Sequence, residues 1–251
     1  MTQSVVDLRE VETGIVQITM QDRVNKNTFS KELTVGLVQS FKLIQANPNY
    51  KVVILTGYDS YFASGGTQEG LLAIHEGKAK FTDGNNNLYS LALNCKIPVI
   101  SAMQGHGIGG GFALGLFSDF VILSRESVYA TNFMKYGFTP GMGATYIVPK
   151  KLGFSLAEEL LLNAGNYRGA DLEKRGIPFP VLPRAEVLVY ALELARQIAD
   201  KPRISLITLK DHLVAQLRAE LPKFIEQEVV MHEKTFQQAE VKERLITLFG
   251  K

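Results

Sequence analysis

Hydrophobic and polar positions along the first 130 residues follow the pattern of a layered α/β protein. Residues 51–56 and 98–103 are continuous apolar runs, as expected for strands that are covered on both faces. Ser30 precedes an apolar stripe that continues to about Ile44, which predicts a helix with Ser30 as its N-cap. Further strands are predicted at residues 5–8, 15–20, 120–124 and 128–130, and a helical stretch begins at Thr67.

Helical periodicity dominates the chain from Ser155 onward. The segments with this periodicity are residues 155–163, 184–199, 204–217 and 222–236. Pro202 and Pro222 stand where helices are expected to begin. We therefore predict a core domain over residues 1–195 and a helical region over residues 196–251. The apolar face of the helical region is expected to pack on the core or on a neighbouring subunit.

The composition is that of an ordinary globular protein. Hydrophobic residues make up 46% of the 251 positions, and 27 basic against 25 acidic residues leave a formal net charge of +2, which argues against nucleic-acid binding. The single cysteine, Cys95, excludes a disulfide framework and a cysteine-built zinc site. The early charges of the N-terminus and the six glycines of residues 97–123 argue against a signal peptide and a membrane span. We expect a cytoplasmic protein without a bound metal.

Three glycine-rich segments carry the candidate chemistry. They are YFASGGT (61–67), QGHGIGGGF (104–112) and TPGMGAT (139–145), and the first two follow predicted strands. Two backbone N–H groups from separate strand-to-helix turns can form an oxyanion hole, because glycine allows a ligand to approach the backbone closely. The alternative is that the glycines serve only tight turns and close packing. A phosphate cradle is disfavoured because GxxxxGK[ST] is absent, and Ser64 lacks the G-x-S-x-G context of a nucleophile.

The segments FASGGT (62–67), IPVISAMQGHGIGGGFALGLFSDFVILS (97–124) and KYGFTPGMGAT (135–145) resemble the enoyl-CoA hydratase/isomerase, or crotonase, superfamily over essentially the whole chain. The resemblance implies an α/β fold with a ββα spiral core and a C-terminal helical trimerisation region, as a homotrimer or a dimer of trimers. The implied substrate is an acyl thioester on coenzyme A or on the phosphopantetheine of an acyl carrier protein, with no other cofactor. It places the oxyanion hole at the N–H groups of Gly66 and Gly110. The substrate-binding residues implied are Ala63, Thr67, Ala113, Phe133, Val24 and Lys26.

Two positions depart from the hydratases of this superfamily. Those enzymes use two glutamates to activate water and to protonate the α-carbon, and the matching positions here are Ala113 and Phe133. Because such acid–base catalysis contributes about 10²–10⁴-fold, we expect poor hydratase activity. Decarboxylation needs no base, since the leaving carboxylate itself generates the enolate. An apolar pocket would also disfavour the charged carboxylate relative to the delocalised transition state.

Lys80 and His232 are the candidate polar groups for this reaction. The glycine-rich segments are similar to those of the crotonase-type decarboxylases of polyketide β-branching cassettes, and the lysine and histidine of that subgroup map onto Lys80 and His232. The resemblance implies loss of CO₂ from a 3-methylglutaconyl-type thioester to give a 3-methylcrotonyl-type product. Lys80, or alternatively Lys78, would hold the carboxylate. His232 would protonate the γ-carbon as an imidazolium or through water, although a histidine on an apolar helical stripe is also compatible with simple packing.

Two rival functions remain open from the sequence. One is a double-bond isomerase of the same superfamily, with a hydratase less favoured. The other is a non-catalytic homologue that binds a carrier protein or RNA, against which the low net charge argues. The basic pairs Lys150-Lys151 and Lys174-Arg175 could meet an acidic acyl carrier protein or form a solvated surface. No nucleic-acid or membrane partner is expected.

Overall fold

The computed structural model describes residues 4–79 and 88–250, and two β-sheets organise it. The larger sheet is parallel from β2 to β10, with β1 antiparallel to β2, in the order β1-β2-β3-β5-β7-β10. The smaller sheet has the order β4-β6-β8-β9, with β9 antiparallel. In chain order the strands are β1 (Val6–Glu12), β2 (Ile15–Met20), β3 (Val52–Thr56), β4 (Tyr61–Ala63), β5 (Val99–Met103), β6 (His106–Ile108), β7 (Phe120–Ser124), β8 (Val128–Ala130), β9 (Tyr167–Arg168) and β10 (Val181–Leu182).

The two sheets bring the first two glycine-rich segments side by side. Strands β3 and β5 are neighbours in the larger sheet, and every residue of both is buried. Because parallel strands release their following loops at the same edge, β4 and β6 begin next to each other. Their pairing, with Tyr61 opposite His106 and Ala63 opposite Gly107, holds the two glycine turns together.

Most predicted helices are present. Helix α1 begins directly after Ser30, whose hydroxyl accepts the N–H of Leu33 at 3.2 Å, so the predicted N-cap is confirmed. The helices are α1 (Lys31–Ala46), α2 (Gln68–His75), α3 (Leu91–Asn94), α4 (Gly110–Leu116), α5 (Ala144–Leu152), α6 (Phe154–Asn163), α7 (Gly169–Lys174), α8 (Arg184–Ala199), α9 (Arg203–Thr235) and α10 (Ala239–Leu248).

The break expected at Pro222 is wrong, because α9 runs through it as one helix of 33 residues. Proline removes a backbone N–H and crowds the preceding turn, which normally ends a helix. Here Leu221 and His232, on either side of Pro222 along the helix, are both buried. We attribute the continuity of α9 to this packing, which local sequence rules do not include.

Helices α8 and α9 both pack on the core, α8 against the larger sheet. The boundary predicted between residues 195 and 196 falls inside α8, whose Ala195 and Ile198 lie in a cluster with sheet residues. Helix α9 is anchored by Lys210, whose buried ammonium contacts the Asp119 carboxylate at 2.7 Å and donates to two backbone carbonyls at 3.0 Å. Among residues 4–79 and 88–250, no helix combines the length and the apolar character that a membrane span requires.

Candidate active site

A cavity of about 660 Å³ lies where the glycine turns meet, a size typical of small-molecule sites. Its wall comes from the loop before α1, the turn between β4 and α2, the turn between β6 and α4, the segment after β8 and the end of the chain at residues 249–250. The described part of this wall contains no aspartate or glutamate. The cavity therefore offers hydrogen-bond donors and apolar surface but, within the described residues, no carboxylate base.

Gly66 and Gly110 both line this cavity. Gly110 is the first residue of α4, and Gly66 directly precedes Thr67, the N-cap of α2. Gly65 lies so close to the second turn that a Cβ atom on it would stand 3.2 Å from the nitrogen of Gly110. Within the described parts of the chain neither the Gly66 nor the Gly110 N–H has an acceptor, as expected for groups that precede or begin a helix. Two free donors on adjoining turns are what an oxyanion hole needs from the backbone, provided that both point at one oxygen.

Steric neighbours explain two of the glycines in the second turn. Gly109 has φ +56°, which L-residues with a side chain rarely adopt, and the Asn132 side-chain oxygen stands 2.6 Å from where its Cβ would be. At Gly110 the position of a Cβ is already occupied by the hydroxyl of Tyr89. The turn is thus shaped by neighbours that themselves line the cavity. These close contacts agree with a packing role for the two glycines, and they occur at the wall of the cavity.

The structure brings some of the predicted substrate-binding residues to the cavity and leaves others away from it. Val24, Lys26, Thr67 and Phe133 line it together with the two oxyanion glycines. Ala63 and Ala113 do not. Ala113 is completely buried within α4, and Ala63 is completely buried in β4, with its carbonyl against Gly111. Neither residue lines the cavity, so a direct contact of Ala63 or Ala113 with substrate stays a prediction.

The rim of the cavity is a loop held by hydrogen bonds of the buried Asn27 side chain. The side chain of Asn27 accepts the N–H of Asp22 at 2.8 Å and donates to the carbonyls of Met20 and Phe62 at 2.9 Å. On this frame Val24 projects from the loop with 90% of its surface exposed. An apolar residue is therefore presented to solvent at the cavity mouth by a fixed backbone.

The candidate lysines differ in their surroundings. Lys80 lies outside the described residues. Lys78 is exposed and pairs with Glu76 at 2.6 Å, a hydrogen bond that raises the pKa of the lysine, and it does not line the cavity. Lys135, which the sequence reasoning missed, is half-buried in the cavity wall next to Tyr136. The described cavity thus contains the cations Lys26 and Lys135.

His232 lies behind the cavity wall. Its ring is centred 6.2 Å from that of Phe138, which lines the cavity, and 5.6 Å from that of Phe236. Burial lowers the pKa of His232 to about 4, so the imidazole is neutral near pH 7. This argues against an imidazolium that is present before substrate binds. Its position next to Phe138 keeps it adjacent to the cavity without lining it.

Three further polar groups were not singled out from the sequence. Tyr89 and His106 line the cavity, and Glu228 is buried beside the third glycine-rich segment. The ring of His106 accepts the N–H of Val128 at Nδ1, 2.9 Å away, so the neutral ring carries its proton on Nε2. Burial, followed by the charges of nearby arginines, lowers the pKa of His106. Only the contacts made in the fold distinguish these residues from ordinary polar positions.

Comparison with known proteins identifies the family. The enoyl-CoA hydratase/isomerase family model matches residues 10–249. The chain belongs to this family. Over 250 residues, covering all of both chains, it is 72% identical to the bacillaene synthase decarboxylase PksI of Bacillus subtilis (strain 168).

Solved structures of family members agree with this similarity. One, from a dehydratase/decarboxylase enzyme couple involved in polyketide β-branching, superposes with a TM-score of 0.97 at 71% identity, covering 99% of this chain and all of the other. The ECH2 decarboxylase domain of CurF from Lyngbya majuscula gives 0.94 at 48% identity, covering 98% and 100%. The predicted crotonase fold is confirmed. The prediction that the chain is a decarboxylase of the crotonase superfamily is confirmed as well.

The basic pairs considered as carrier contacts are partly engaged within the chain. Lys151 donates to the carbonyl of Ser118 at 2.7 Å, and Lys150 lies over the ring of Tyr146. Arg175 forms a salt bridge with Glu159 at 2.6 Å. Three of these four cations therefore have contacts that stabilise the fold.

Proposed function

We propose that this family member decarboxylates a 3-methylglutaconyl-type thioester carried on the phosphopantetheine of an acyl carrier protein, giving a 3-methylcrotonyl-type product. The observation that carries the proposal is a cavity with two unsatisfied amides and, in its described wall, no carboxylate. Amide donors stabilise the negative charge of an enolate, and the missing carboxylates remove the chemistry that would add water. The similarity to a bacillaene synthase decarboxylase supports the same reaction.

The first step is alignment of the thioester. Its carbonyl oxygen accepts the N–H groups of Gly66 and Gly110, each donor being worth a few kcal/mol in the transition state. The acyl chain then extends along the wall formed by Phe133 and Tyr89. The pantetheine arm leaves past Val24 and Lys26 at the rim. This arm belongs to the substrate, and no other cofactor is needed for the steps described.

The second step breaks the bond between the γ-carbon and the carboxylate carbon. The electron pair of that bond moves through the conjugated double bond into the thioester, so CO₂ leaves and a dienolate remains. Lys80 is proposed to orient the carboxylate before it leaves. A single ammonium is sufficient for that task. Lys135, in the cavity wall, is the cation that could take the place of Lys80.

The third step adds a proton to the γ-carbon and restores the conjugated thioester. We assign its delivery to His232, directly or through a water molecule. Burial keeps the imidazole neutral near pH 7. The negative charge of a bound substrate favours the imidazolium, so the proton is recruited when the anion is present. Phe138, between cavity and imidazole, would have to turn or admit a water for the transfer.

The C-terminal helices are proposed to mediate a homotrimer. Ile204, Leu209 and Leu213 on α9 are large apolar side chains with more than half of their surface exposed. Such a cluster of exposed apolar residues is typical of an interface. Sedimentation equilibrium would distinguish a monomer, a trimer and a dimer of trimers.

The proposal is tested with two carrier-bound substrates. A 3-methylglutaconyl carrier should lose one CO₂, seen by intact-protein mass spectrometry. A 3-methylcrotonyl or non-conjugated 3-methylbutenoyl carrier, which lacks the distal carboxylate, should not change its double-bond position. Migration of the double bond without CO₂ loss would support the isomerase instead, and addition of water would support the hydratase. The same acyl groups on coenzyme A show whether the carrier protein is required.

A further inference from the structure

Glu228 is a buried carboxylate that the proposed mechanism does not use. It lies on α9 with 1% of its surface exposed and does not line the cavity. One of its oxygens accepts the N–H of Gly143 at 2.5 Å. The other accepts the N–H and the hydroxyl of Thr145 at 2.8 and 2.5 Å. All three donors belong to the third glycine-rich segment, so the carboxylate ties residues 139–145 to α9.

The charge of Glu228 matches its position in the fold. Its oxygens meet the first turn of α5, a nine-residue helix whose free N–H groups favour a negative charge. Burial raises the pKa of Glu228, and the hydrogen bonds from Thr145 and Gly143 oppose that rise. A buried charge is costly unless its hydrogen bonds are complete, and these contacts use both oxygens.

The same face of α9 holds the segment at two further points. His232, four residues after Glu228, stands over Gly141 so closely that a Cβ there would overlap its Nε2. One turn later the hydroxyl of Thr235 contacts both the N–H and the hydroxyl of Thr139, at 3.3 and 3.1 Å. Residues four and three positions apart share a helix face. The imidazole is therefore held between two fixed points of one turn.

This turn continues directly into the cavity wall. Phe138, which precedes it, lines the cavity and contacts the ring of His232. We propose that Glu228 is a positioning residue, whose carboxylate fixes residues 139–145 to α9 and thereby sets the imidazole of His232 against the cavity wall. This inference rests on the proposed function, in which His232 delivers the proton.

The test compares Glu228→Gln with Glu226→Gln, because Glu226 is an exposed glutamate on the same helix. The buried substitution keeps the side-chain volume but turns an NH₂ group toward backbone donors. We expect its kcat for CO₂ release to fall about tenfold or more with KM changed by less than about twofold, since small misplacements of a catalytic group are costly. In an NMR titration the His232 ring signals should shift and its pKa should move toward the ordinary histidine value. Glu226→Gln should behave like the wild type in both measurements.

Thr145 tests the same contact from the other partner. Thr145→Ser keeps the hydroxyl donor and should retain kcat, whereas Thr145→Val removes it and should reduce kcat in the same direction as Glu228→Gln. A wild-type kcat and unchanged His232 signals in Glu228→Gln and Thr145→Val, with only a lower Tm, would overturn the positioning role. If the wild type released no CO₂, the proposed function would fail, while the NMR titration would still decide whether Glu228 positions His232.

Discussion

The hydroxyl of Tyr89 occupies the space that a Cβ atom on Gly110 would need. A ring carbon of Phe29 lies 3.0 Å from the same Cβ position. Both aromatic side chains lie beside the amide proposed to bind the thioester oxygen, and Tyr89 itself lines the cavity. A side chain at residue 110 therefore cannot be accommodated unless the aromatic rings or the amide move. Gly66, in the other turn, has only ordinary contacts with Leu71, at 3.5 Å or more.

This difference predicts opposite outcomes for two alanine substitutions. Gly110→Ala should lower kcat by about 10²–10³-fold, because displacing one oxyanion donor costs about that much. Gly66→Ala should stay within about fivefold of the wild type, since its Cβ meets no close atom and its N–H is retained. Steady-state decarboxylation kinetics of both variants, with circular dichroism to confirm folding, make the comparison. Equal losses in the two variants would contradict the steric assignment.

The lysine that holds the substrate carboxylate can be identified by charge removal. Lys80→Met should reduce kcat/KM by about 10²-fold, because the carboxylate then loses the ammonium proposed to orient it. Lys78→Met is the matched control, since Lys78 is exposed and paired with Glu76. Lys135→Met should have a smaller effect than Lys80→Met. A larger loss of kcat/KM in Lys135→Met than in Lys80→Met would instead show that Lys135 holds the carboxylate.

The buried imidazole predicts a loss of stability in acid. The folded-state pKa of His232, about 4, lies below the ordinary value of 6.5, so its contribution is complete above about pH 6.5 and is lost as the pH falls toward 4. Between pH 7 and pH 5 this amounts to roughly 2 kcal/mol of the free energy of unfolding. His232→Gln should lose that much less than the wild type over the same interval in urea titrations. His212→Gln, an exposed histidine on α9, should follow the wild type.

Lys210, which anchors α9, should contribute strongly to the stability of the fold although it lies outside the cavity wall. Lys210→Met should destabilise the fold by about 3–5 kcal/mol, because the carboxylate of Asp119 and two carbonyls lose a buried cation. Breaking the exposed pair of Arg175 and Glu159 should cost much less than that, because solvent screens an exposed ion pair. Chemical denaturation measures both. Similar losses for the two pairs would show that burial does not govern the strength of the anchor.

Much of the fold follows from local patterns in the sequence. The apolar runs before residues 56 and 103 become the central strands β3 and β5, and Ser30 and Thr67 become N-caps because short hydroxyl side chains satisfy free helix N–H groups. The smaller sheet was harder to predict. Of its strands β4, β6, β8 and β9, the sequence pattern predicted only β8. The strands of this sheet are two or three residues long, too short for a periodic pattern to reveal.

The candidate site was predictable only where a motif fixes the backbone. Gly66 and Gly110 lie in recognisable turns, and both reach the cavity. Tyr89, Lys135 and Glu228 could not be identified, because their positions depend on contacts between segments distant in sequence. The burial of Ala113 away from the cavity could not be predicted either, because tertiary packing sets the rotation of α4 about its axis.

The most direct measurement concerns the thioester carbonyl itself. Isotope-edited infrared difference spectra would be recorded for a ¹³C-labelled 3-methylcrotonyl thioester bound to the wild type and to Gly110→Ala. Hydrogen bonds from both amides should move the carbonyl stretch to lower frequency in the wild type, and the shift should shrink in Gly110→Ala. A carbonyl frequency in the wild type equal to that in free solution would contradict the oxyanion hole at Gly66 and Gly110.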